Sequence, residues 1–242
     1  MKNSKKVLTS VILVSLTFSS IPSVFASETS EVELTDANRT TSSQSTATCE
    51  EKLSKVEMKA SDNEAARLGK FNDRKADQDT KIVNKRSEND AQKTIHRENV
   101  STKVAGNPEV KAIIDKFQQA VNAALKARRD GNDAALAAFR TTMTGLEATR
   151  KLAVDTAFAT LKSAACTTDK AANKLAWAAY RESVSAARAA FRTGAKTALG
   201  TLTAARVTNR DTYLKTVAAA TKEKKDALAA LKASTATPAV TQ

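Results

Sequence analysis

Histidine occurs once in the 242 residues, cysteine twice, proline three times and glycine six times, and aromatic side chains make up 4% of the chain. Each scarcity excludes something. One histidine, His96, in the polar run KTIHREN, leaves no partner set for a nucleophile–histidine arrangement. Two cysteines far apart in sequence make no zinc spacing. No glycine-rich phosphate loop, CxxC, HExxH or EF-hand loop is present. Acid pairs such as Asp77 and Asp79 are flanked by Lys and Arg and read as solvated helix charges. The expectation is a protein that is not an enzyme and needs neither metal nor cofactor. Few turn residues and few aromatic or β-branched residues other than Thr also exclude a sheet protein.

What is abundant is Ala, Lys, Arg, Leu and Glu, the strong helix formers. The composition predicts an all-α chain with few turns and long helices.

The N-terminal stretch MKNSKKVLTSVILVSLTFSSIPSVFASE pairs a basic start (Lys2, Lys5, Lys6) with a short apolar run from Val7 to Phe18. Val24 and Ala26 occupy the −3 and −1 places of a small-residue cleavage site. This reads as a signal peptide, residues 1–26, in preference to an uncleaved anchor. The expected location is secreted, periplasmic or cell-surface, without insertion into a membrane after cleavage. Removing residues 1–26 leaves 216 residues of net charge +10. In an oxidising compartment, Cys49 and Cys166 are expected to form a disulfide.

Residues 27–48 are rich in Ser, Thr and acid and lack apolar periodicity, so they read as a flexible leader. The sequence AGNPEVK marks a turn, with Asn107 as cap and Pro108 at the first helical position. CTTDK, residues 166–170, marks a second turn, with Thr167 or Thr168 as cap. Helices are expected over about 50–104, 108–165 and 168–233, forming a bundle over 49–233, with a disordered tail at 234–242.

Within these helices apolar side chains recur every eleven residues. Ala60, Phe71 and Ile82 form one series; Tyr180, Phe191, Leu202 and Tyr213 another; Val184, Ala195, Val217 and Leu228 a third, interrupted by Arg206. Eleven residues in three turns is about 3.67 per turn, so each series stays on one face of a long helix. Val121, Asn132, Met143 and Val154 keep the same interval across Gly131. That register favours one continuous helix, bent at Gly131, over a hairpin there. A continuous second helix, antiparallel to the first, brings Cys49 and Cys166 to one end. The result is an elongated up-down-up three-helix bundle. This architecture is like that of spectrin-type bundles, although no residue signature ties the chain to them.

Charge is unevenly distributed. Residues 27–50 carry net −4, 51–106 and 107–166 carry +3 each, and 167–242 carry +8. Lys170, Lys174, Arg181, Arg188, Arg192, Arg206 and Arg210 are spaced by fours, sevens and a fourteen, which places them on one narrow stripe of the last helix. Such a row suits a polyanion: nucleic acid, a cell-wall polymer or an acidic glycan. The competing reading has these residues flank the apolar seam and pair with acids of other helices. A lipid-surface-binding amphipathic protein and an extracytoplasmic helical chaperone with a protein client are the alternative functions. Oligomeric state is not legible from one chain.

Overall fold

The computed structural model describes residues 48–236, which lie within one unit, residues 47–242. The expected signal peptide, the leader up to residue 47 and residues 237–242 lie outside the described residues.

The described chain forms three helices: α1 (Cys49–Val104), α2 (Pro108–Ala164) and α3 (Lys170–Ala236). At about 1.5 Å per residue they are roughly 84, 86 and 100 Å long. This is the all-α three-helix bundle expected, with α3 continuing three residues into the expected tail. The starts are capped by local chemistry. The Thr48 hydroxyl accepts from the Glu51 amide at 3.3 Å, while Glu51 Oε2 accepts from the Thr48 amide at 3.2 Å. Asn107 Oδ1 accepts from the Val110 amide at 3.0 Å. For α3 the cap is Asp169, whose Oδ1 accepts from the Ala171 amide at 2.8 Å, rather than either threonine. Asn173 closes that turn by donating to the Thr167 carbonyl at 2.8 Å.

Helix α2 runs unbroken through Gly131. The glycine itself answers to the interface: a Cβ on Gly131 would fall 2.8 Å from the Asn209 side chain of α3. Gly194 plays the reciprocal part, since a Cβ there would fall 2.5 Å from Leu146 Cδ2. Both glycines let α2 and α3 approach closely, and the two helices pack along their length. The core consists of Leu136, Phe139 and Met143 of α2 with Ala198 and Leu202 of α3.

Helix α1 is seated differently. No Cα of α1 comes within 8 Å of a Cα of α3, and α1 approaches α2 that closely at few places. Phe71 and Ile82 reach the core from this greater distance, and Leu53 alone on α1 is buried. At one end Cys49 and Cys166 form a disulfide with Cα atoms 5.4 Å apart. It lies against Leu53, Leu161 and Ala165. Cys166 takes a left-handed backbone conformation, φ 73°, which costs an L-residue about 1–2 kcal/mol.

Candidate functional site: the cationic edge of α3

Helix α3 carries thirteen Lys and Arg against four acids. The seven expected stripe residues divide into two groups. Lys170, Lys174, Arg181, Arg188 and Arg192 are exposed. They extend over roughly 33 Å of helix, and none has an ion-pair partner among the described residues. Arg206 and Arg210 are half-buried. Arg210 Nε donates to Asp211 Oδ1 at 3.0 Å, and burial lowers the pKa of Arg206.

Helix geometry explains the division. Arg181 and Arg192 each directly follow a seam aromatic, Tyr180 or Phe191, and so sit about 100° around the helix from it. Arg206 follows Leu202 by four residues, only about 40° from the seam. Cations spaced by sevens repeat at 3.5 residues per turn and the seam at 3.67, so the stripe drifts into the seam along α3.

The aromatics lie inside the bundle. Tyr180 makes edge contacts with Phe158, at 6.1 Å between ring centroids, and Trp177, at 6.2 Å. Burial raises the Tyr180 pKa, with the positive charge of Arg188 acting in the other direction. Trp177, Tyr180 and Phe191 are each half-buried, and Phe191 lies beneath the Arg67 guanidinium of α1, 5.7 Å from its centroid. The exposed edge therefore offers charge and hydrogen-bond donors without a stacking platform.

Acids elsewhere are engaged with α2 and α1. Arg86 donates to both oxygens of Asp133 at 2.9 and 2.6 Å, Arg129 to both of Asp90 at 2.8 and 2.7 Å, and Arg140 to both of Asp79 at 3.2 and 2.6 Å. Arg67 holds Glu147 at 2.8 and 3.1 Å, and Arg150 bridges Glu64 and Glu147. The Arg129 guanidinium lowers the Asp90 pKa, and Arg86 lowers that of Asp133. Asp79 is half exposed and held across the interface by Arg140, whereas Asp77 pairs within its own helix, four residues on, with Lys81 at 2.7 Å. The interval between Asp79 and Asp90, and between Arg129 and Arg140, is again eleven, so the period of the apolar columns also carries the signal for this ladder.

Polar residues also interrupt the apolar columns near mid-bundle. Asn132 and Asn209 share a hydrogen bond of 3.1 Å between α2 and α3. On α1, Lys93 continues the Ala60–Phe71–Ile82 column, half-buried, and burial lowers its pKa. His96 is exposed. Among the described residues no three His, Cys, Asp or Glu side chains gather into a metal-sized cluster, and no helix is long and apolar enough to cross a membrane.

No protein-family model, curated protein or solved structure matches the chain.

Proposed function

We propose that this is an exported helical scaffold that acts by binding, holding a polyanion along the edge of α3 from Lys170 to Arg192. The observation that carries this reading is the contrast in pairing. The arginines of α2 that face α1 have carboxylate partners, whereas Arg181, Arg188 and Arg192 are exposed and have none among the described residues. Surface cations on a rigid rod keep their spacing, so little ordering entropy opposes a polymer that matches them. Export is supported by the signal-like N-terminus and by the disulfide, which oxidising compartments preserve. The ligand class is a polymer of closely spaced phosphate, sulfate or carboxylate groups, recognised by charge and not by base stacking.

Fluorescence anisotropy with single-stranded DNA, a sulfated glycan and polyphosphate, each titrated across salt, tests this directly. Five engaged cations give a slope of log K against log salt of about −4. The triple variant Arg181→Gln, Arg188→Gln, Arg192→Gln should keep its helical circular dichroism, lose most of the binding and flatten the slope. Binding by the triple variant equal to that of the parent would overturn the reading.

A further inference from the structure

On the flank of α3 away from the cationic edge, an open groove of about 900 Å³ runs between α2 and α3 near the disulfide end. Its floor includes Ala153, Ala157, Ala176 and Ala179, and Leu152 and Leu175 stand in it at 67% and 71% exposure. No charged side chain lines it. We propose that this face is the interface between two copies of the chain.

A largely uncharged surface, with Glu182 at its margin, extends beyond the groove. On α2, Ala134, Ala138, Thr142 and Gly145 continue the helical phase of Thr149, and all are exposed. On α3, Ala186, Ala190, Thr193, Thr197, Ala204 and Thr208 continue the phase of Ala172, also exposed. On α3 the strip ends where Asp211 appears. Its length, from residue 134 to 164, is roughly 45 Å. Two helices packed about 9 Å apart present a face about 18 Å wide. That makes about 800 Å² per copy, the size of a standard specific interface; the groove by itself would supply only about half of this.

Charge decides the occupant. The protein has a net charge of +13 over its full sequence, so two copies repel wherever their charged surfaces meet. The α2/α3 strip carries no cation, so there they meet without opposing positive charges. A partner of opposite charge would be met by cations, and the strip has none to offer. The surface also supplies both halves of a self-complementary contact: exposed leucines as knobs and alanine-lined hollows as their seats, as an isologous interface requires. Small side chains let the helices approach closely, and the two leucines of each copy leave water.

A dimer built this way keeps both cationic edges outward, because the groove and the edge lie on opposite flanks of α3. Two edges on one particle would raise avidity for a long polyanion without any new contact. The dimer itself does not depend on that ligand.

Sedimentation equilibrium of the purified protein in 1 M salt, with no polyanion present, tests the inference. Salt at that level screens charge and leaves apolar contact in place. The expected mass is twice that of the chain. The double variant Leu152→Glu, Leu175→Glu should sediment as a monomer with unchanged helicity, and Leu152→Ala, Leu175→Ala should weaken association at least tenfold. A monomeric parent, or a dimer indifferent to the glutamate variant, overturns the proposal. Because no anion enters the measurement, its failure is distinct from failure of polyanion binding, which is read separately on the Arg181, Arg188 and Arg192 triple variant.

Discussion

The α1–α2 and α2–α3 interfaces join helices of similar length by opposite means. Between α2 and α3 the contact is steric: alanines, two glycines and a Leu–Phe–Met core, with Leu146 seated over Gly194. Between α1 and α2 it is mainly electrostatic, with Leu53, Phe71 and Ile82 as the apolar contacts. Asp79, Arg86 and Asp90 on one helix face Arg140, Asp133 and Arg129 on the other. The signs alternate on both strands of this ladder, so sliding α1 by seven residues would set Asp79 against Asp133. Packing of small residues alone is tolerant of slips, whereas alternating charges penalise them. The first interface supplies cohesion and the second supplies register.

Substitutions can break this contrast. The largest effect is expected at Arg150, 8% exposed and bridging Glu64 and Glu147. Arg150→Ala removes the buried cation from between Glu64 and Glu147, leaving the more exposed Arg67 to hold both, and should cost about 3–5 kcal/mol, read by chemical denaturation. Met143→Ala, at a residue 2% exposed in the core shared by α2 and α3, should cost about 2–5 kcal/mol. Its loss should be independent of salt, whereas the stability removed by Arg150→Ala should shrink as salt rises.

The glycines sharpen the steric half. Gly194→Ala forces Leu146 to move and should cost about 1 kcal/mol net, overpacking outweighing the gain in helix propensity. At Gly145 and Gly200 a Cβ would meet nothing within 4 Å, so Gly145→Ala or Gly200→Ala should stabilise by about 0.5–1 kcal/mol. Opposite signs from the same chemical change would locate the close approach.

Acid acts on the electrostatic half. The carboxyls of Asp90 and Asp133 are held below the usual range by the hydrogen bonds from Arg129 and Arg86. Their folded-state pKa values lie below the unfolded one, about 3.9, so the unfolded chain binds more protons in that window. Their stabilisation is complete above the unfolded pKa and is lost as pH falls through the folded pKa. Both are about half exposed, so each contributes about 1 kcal/mol or less. Hydrogen exchange on α1 should therefore accelerate below about pH 4 before that on α2 and α3, and the double variant Asp90→Asn, Asp133→Asn should remove the difference.

Much of the fold was legible in the sequence because it rests on local rules. The Asn107–Pro108 start of α2 follows from capping chemistry, and the continuity of α2 through Gly131 follows from the unbroken interval of Val121, Asn132, Met143 and Val154. The pairing of Cys49 with Cys166 then follows from helix length. The candidate site was legible in part. The five exposed cations are placed as their spacing predicts, but the burial of Arg206 depends on a small mismatch of two periods accumulated along α3. The groove at Leu152 and Leu175 was missed, although one signal was present: charged residues are scarce in that phase of both helices, with Glu182 the exception on α3.

Sequence alone determined that three long helices form, where α1 and α2 start, and which face of each is apolar. Those properties depend on residues within a few turns of one another. Tertiary structure alone decided that α2 and α3 pack tightly while α1 stands off, which acid each arginine holds, and which apolar surface stays uncovered. Each of these depends on how far apart the helix axes settle, and that distance is a balance of side-chain volumes and charges contributed by all three helices at once.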